Sequence, residues 1–227
     1  MTVTLASLKQ KLQEAELGDR LRVMGEARIL PLDQRFELAC LAKDDVNARI
    51  RYDAISQLSS LGHQDLGKAL TVLRDRLLND PETDVRAAAA DSIAALKLTE
   101  AFEELVAAFR DSNEWLMQFS VIAALGELGD RRAFAVLTEA LAHPESLVRL
   151  AAIGALGELG DPRALPFLVP LAADQEWDVR HRVVQALGNL ANLDDPVLDQ
   201  GQIQALIQEL SQDHAPQVAD AAKALLA

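Results

Sequence analysis

Apolar side chains recur every three or four positions along almost the whole chain, and the stripes they form break at regular intervals. In residues 130–161, Ala133, Phe134, Leu137 and Leu141 share one helical face, and Leu147, Val148, Ala151, Ala152, Ala155 and Leu159 share another. Between them, His143-Pro144 gives a start signal, because proline is tolerated at the first helical position. Gly129 and Gly160 suit the left-handed position that ends a helix, and Asp130 and Asp161 can cap the next one. The pattern predicts a first helix over about 131–142 and a second ending near 159. Pro166 and Pro170 fall inside the first helix of the following pair, where each removes a backbone donor, so a bend is expected there. No stretch shows the two-residue alternation of β-branched side chains that marks a strand.

The helix pair is a copied unit. Residues 124–130 and 155–161 are the same heptapeptide, Ala-Leu-Gly-Glu-Leu-Gly-Asp, 31 positions apart. The Val148-Arg149 register returns at Met117-Gln118 and Val179-Arg180, and more weakly at Ile50-Arg51, Val85-Arg86 and Val218-Ala219. Successive register positions are 35, 32, 31, 31 and 39 residues apart. Asp45, Asp80, Asp174 and Asp213 precede the second helices and are expected to cap or start them. Such repetition predicts an all-α fold, an α-solenoid of about six short helix-pair repeats with atypical end units. The repeat cores are read as 16–43, 44–79, 80–110, 111–142, 143–173 and 174–200 of a single domain spanning 1–227, with capping helices in 201–227. A polar connection with Pro196 and Gly201 fills 192–202.

Composition agrees with closely stacked helices: 50% of residues are hydrophobic and only 4% aromatic, so Ala, Leu and Val fill the core. No apolar run approaches the roughly 20 residues of a spanning helix, and the first residues lack a signal-peptide pattern, so a cytoplasmic location without membrane insertion is expected. A formal charge of −13 opposes binding to nucleic acid or to an anionic membrane surface. Cys40 lies among Phe36, Leu38, Ala39 and Leu41 and reads as a buried thiol. His63, His143, His181 and His214 are dispersed, and no metal site is expected. Gly126, Gly129, Gly157 and Gly160 read as helix-end residues, not as a phosphate loop.

Candidate chemistry follows the register. Arg51, Arg86, Arg149 and Arg180 hold equivalent positions, with Gln118 breaking the row. They can pair with helix-start carboxylates such as Asp45, Asp80 and Asp174, or some can face an anionic ligand. Trp115 and Trp177 each stand three residues before the register position, and Tyr52, Phe119 and His181 each follow it. Trp177 and His181 are four apart and share a helical face, flanked by Arg180 and Arg182. Such a strip either seals gaps between helix pairs or stacks on a conjugated ring and pairs its carboxylates. The candidate ligand-binding set is therefore Arg51, Tyr52, Trp115, Gln118, Phe119, Trp177, Arg180, His181 and Arg182.

The pattern Val-Arg-x-x-Ala-x-x-Ala-Leu-Gly-x-Leu-Gly-Asp resembles the short HEAT-like repeats of phycobilin lyase subunits, and lacks the signatures of ankyrin and tetratricopeptide units. The stretches 70–80, 87–92, 96–102 and 115–120 resemble the cyanobacterial NblB family of phycobilisome degradation proteins. That resemblance implies a factor that engages phycobiliproteins such as phycocyanin and allophycocyanin and helps detach their bilin during antenna dismantling. It implies no tightly bound cofactor, only transient phycocyanobilin, and a lyase-like activity on a C–S bond. His181 or Asp53 is the expected proton donor. A bilin-attaching lyase subunit and a non-catalytic adaptor are the alternatives, and homo-oligomerisation stays open.

Overall fold

A computed structural model describes residues 3–193, 195 and 197–227; Pro196, part of the expected long connection, lies outside them. The chain forms two compact units, Met1–Ala124 and Leu125–Ala227. Unit one holds α1 (Leu5–Glu14), α2 (Leu17–Arg20), α3 (Val23–Glu26), α4 (Leu32–Ala42), α5 (Ala48–Leu61), α6 (Leu66–Asn79), α7 (Thr83–Ala95) and α8 (Phe102–Asp111). The division falls inside α9 (Trp115–Leu128). Unit two continues with α10 (Phe134–Ala140), α11 (Ser146–Leu159), α12 (Leu165–Leu168), α13 (Trp177–Ala191), α14 (Gln200–Leu210) and α15 (Pro216–Leu226). The described residues contain no strand, and the all-α solenoid read from the repeat is the fold.

Within unit one, α5 packs on α4 and α7, and α6 on α7 and α8; within unit two, α11 packs on α10 and α13, and α15 on α13 and α14. Within each unit, second helices thus lie against each other, α5 on α7 and α11 and α15 on α13. Glycine sets how closely. A methyl group on Gly157 would come within 2.6 Å of the Ala186 Cα, and one on Gly126 within 2.5 Å of the Ala155 Cα. These two glycines sit inside their helices, which corrects the expectation that they end them. Gly129 and Gly160 do end helices, with φ of 74° and 63°. Lys97 holds the same repeat position after α7 and adopts φ 55°.

One polar device recurs before the second helices. Asp45, Asp80, Ser112, His143, Asp174 and Asp213 each accept a hydrogen bond from the backbone N–H two residues ahead, at 2.8 to 3.1 Å. Asp80 and Asp174 are thus not the caps expected of them: the N-cap residues of α7 and α13 are Glu82 and Glu176, and neither side chain bonds the helix. The aspartates close the turn that aims each helix.

The first helices are shorter than the periodicity suggests. Arg131–Ala133 is a 3₁₀ turn, and α10 follows it. In the Pro166 and Pro170 repeat, α12 is a single α-turn that passes into 3₁₀ helix over Val169–Ala173. The two missing N–H donors account for this break.

Candidate functional site

Two members of the arginine row are buried: Arg180 is 4% exposed and Arg51 7% exposed, and both guanidiniums pair with helix-start carboxylates, while Arg86 and Arg149 are half-buried. Arg180 donates to both carboxylate oxygens of Asp213 at 2.7 and 2.9 Å and to the Asp174 carbonyl at 2.7 Å. Arg51 repeats the arrangement with Asp80, 2.8 Å to each oxygen, and with the Asp45 carbonyl at 3.0 Å. Each arginine ties its own turn to the turn aspartate of the next helix pair. Arg149 and Gln118 keep only the first half, bonding the carbonyls of His143 and Ser112 at 2.8 and 3.0 Å. Arg86 turns to the Leu77 carbonyl at 3.0 Å.

Electrostatics follow these contacts. The Arg180 hydrogen bonds hold the Asp213 carboxyl down at about 2, against the opposing effect of burial. Burial acts most strongly on Asp80 and pushes its carboxyl up, but Arg51, the Glu82 amide and Arg76 together bring it below the usual carboxylate range. Burial also pushes the Cys40 thiol up, although Lys68 and Lys43 pull the other way from the hollow of about 410 Å³ that they line with it.

The aromatic candidates are on the surface. Trp177 and His181 lie on one face of α13 with ring centroids 6.4 Å apart, and Trp177 is 46% exposed. Arg182 extends across Gly154 and donates to Gln185 at 3.0 Å. The start of α13 was expected to attract negative groups, but Asp178 in its first turn, with Asp174 and Glu176 just before it, already supplies them. The basic end of this strip is therefore Arg182. In unit one, Trp115 is 45% exposed at the start of α9, and Phe119 is half-buried. Tyr52 is exposed on α5, with the Arg49 guanidinium 5.7 Å from its ring centre and 3.5 Å from Asp53. His181 and Asp53, the two expected proton donors, thus belong to different units and are not one site within either.

A groove of about 600 Å³ crosses the second helices of unit one. Ala48, Val85, Ala87, Ala88, Tyr52 and Leu116 line it, together with Glu82, Asp84 and Asp91. Only Tyr52 among these belongs to the candidate ligand-binding set. Among the described residues no cluster of three His, Cys, Asp or Glu side chains is placed to hold a metal ion, and no helix is long and apolar enough to cross a membrane.

Residues 70–152 and 135–227 match the family model for HEAT repeats, which together cover more than half of the chain. The chain belongs to the HEAT-repeat family. No curated protein matches it in sequence. Three solved structures are similar. The complex of CpcE and CpcF of phycocyanin lyase from Nostoc sp. PCC7120 shares 22% identity at TM-score 0.61, over 100% of this chain and 94% of that one. Escherichia coli YibA shares 16% at TM-score 0.65, over 98% and 80%. A computationally designed armadillo repeat protein for modular peptide recognition shares 17% at TM-score 0.53, over 86% and 98%. These likenesses are likenesses of fold.

The HEAT register also explains the groove. The position after the register residue carries Tyr52, Ala87, Phe119, Leu150 and His181 in successive repeats. Ala87 is the small one, so its repeat leaves a hollow beside the Tyr52 of the repeat before it. That substitution was visible in the sequence as the run Ala87-Ala88-Ala89-Ala90, whose consequence needed the stacked neighbours.

Proposed function

We propose that this HEAT-repeat protein engages phycobiliproteins and assists release of their bilin during antenna dismantling. The observation that carries the reading is the Trp177–His181 ring pair, with Trp177 exposed and Arg182 the next residue along α13, on a fold shared over the full chain with a phycocyanin lyase complex. An indole face suits a flat tetrapyrrole, and a guanidinium suits its propionates. The resemblance of residues 70–80, 87–92, 96–102 and 115–120 to the NblB family favours dismantling over attachment.

Release would be an elimination. A proton leaves the carbon beside the C–S bond, a C=C bond forms, and the cysteine sulfur departs as thiolate and takes up a proton, with no oxidant consumed. His181 is the proton donor that this strip favours, because its imidazole stands 6.4 Å, centre to centre, from the Trp177 ring proposed to stack on the bilin. Asp53, beside Tyr52 and Arg49, is the alternative. Within unit one, Trp115, Gln118 and Phe119 are the candidate contacts for the protein partner.

Mixing the purified protein with chromophorylated phycocyanin tests this reading. Loss of covalent bilin, followed by visible absorbance after acid–urea denaturation, supports it. Stable co-elution with all bilin retained supports the second reading, a non-catalytic HEAT scaffold. Transfer of bilin onto apo-phycobiliprotein would make the protein an attaching subunit.

A further inference from the structure

The groove over Ala87 has the features of a side-chain socket. Its lining includes the small side chains of Ala48, Ala87 and Ala88, which leave room for an aliphatic stem. Tyr52 supplies an aromatic face, and this ring already accepts a cation, Arg49, at 5.7 Å. Glu82 and Asp84 supply carboxylates at the margin, where both are exposed. Among the described residues neither forms a salt bridge. The lining carries Glu82 and Asp84 against the single positive charge of Arg49, which Asp53 already engages, so the groove is acidic within a chain of net charge −13.

We infer that this groove docks a partner protein through an arginine or lysine side chain flanked by small residues. Charge complementarity selects that occupant. A long basic side chain lays its methylenes on an apolar floor and carries its charge to a polar rim, and an aromatic face adds cation–π attraction. An anionic ligand would meet a surplus of carboxylates. The inference is independent of the partner being a phycobiliprotein, since it rests on the groove alone.

Ala87→Leu is the informative variant, because leucine already holds the equivalent position at Leu150 and the change fills the hollow without altering charge. The probe is a fluorescein-labelled, Ala-rich twelve-residue peptide with one central arginine, compared with the same peptide carrying glutamine there. Fluorescence anisotropy with the full chain at physiological salt should show the arginine peptide binding at least tenfold more tightly than the glutamine peptide. Ala87→Leu and the double change Glu82→Lys with Asp84→Lys should each weaken it at least tenfold. Glu209→Lys with Asp220→Lys, which changes net charge equally on unit two, should leave binding within twofold. Circular dichroism and melting of each variant report on folding. Undiminished binding by a folded Ala87→Leu variant, equal loss in the unit-two control, or no preference for arginine over glutamine would overturn the inference.

Discussion

The Arg180 guanidinium grips both carboxylate oxygens of Asp213, 33 positions later in the chain, at 2.7 and 2.9 Å. Two buried charges bonded in this way are costly to separate, since removing one strands the other away from water. The pair links one helix pair to the next, and Arg51 with Asp80 does the same in unit one. What recurs along this chain is therefore mostly joinery.

The Asp213 carboxyl, held at about 2 in the folded protein, carries a pH signature. Its folded value lies below the ordinary aspartate value of 3.8, so its contribution is complete above pH 4 and disappears as pH falls toward 2. The shift corresponds to about 2 kcal/mol at neutral pH. Urea unfolding of Asp213→Asn and the parent should differ by about that amount at pH 7, with the gap closing between pH 4 and pH 2. A gap that stays constant with pH would mean that ionisation of Asp213 contributes nothing.

Two reciprocal substitutions test the helix packing. Gly157→Ala improves helix propensity by up to about 1 kcal/mol, yet its methyl would stand 2.6 Å from the Ala186 Cα. Overpacking against backbone should win, for a net loss of roughly 1–2 kcal/mol in chemical denaturation. Lys97→Gly should go the other way. Its φ of 55° is the conformation that Gly129 and Gly160 adopt at the same repeat position, so glycine there should add about 0.5–1 kcal/mol.

Architecture was readable because repetition makes each signal appear several times. The Gly-Asp joints, the α11 end at Gly160 and the break of the α-helix at Pro166 and Pro170 all follow from local chemistry that a single chain displays. Pairings between repeats were half readable. Arginine and aspartate positions recur, but which aspartate each arginine meets depends on stacking, and Asp80 serves Arg51, not the arginine of its own helix. Gly157 was misread because a glycine three residues from a helix end looks like a stop signal until Ala186 is seen against it. The groove escaped for the same reason: Tyr52, Ala87 and Leu116 are about one repeat apart in sequence and become neighbours only in the stack.

The surface strip makes a prediction that the buried arginines do not. Arg180→Ala would damage the fold, so it cannot report on ligand contact. Trp177→Ala with Arg182→Ala removes exposed groups, and its stability in urea should stay within about 1 kcal/mol of the parent. Its association with phycocyanin, measured by titration calorimetry, should fall at least tenfold. Unchanged affinity in the folded double variant would place the contact elsewhere.

The most direct measurement follows covalent bilin on phycocyanin during incubation with the protein, read as visible absorbance after acid–urea denaturation and gel filtration. The account predicts a time-dependent fall in bilin on the phycocyanin polypeptide, slowed at least tenfold by His181→Ala in a folded variant. Bilin that stays fully attached, with the two proteins eluting separately, would contradict it.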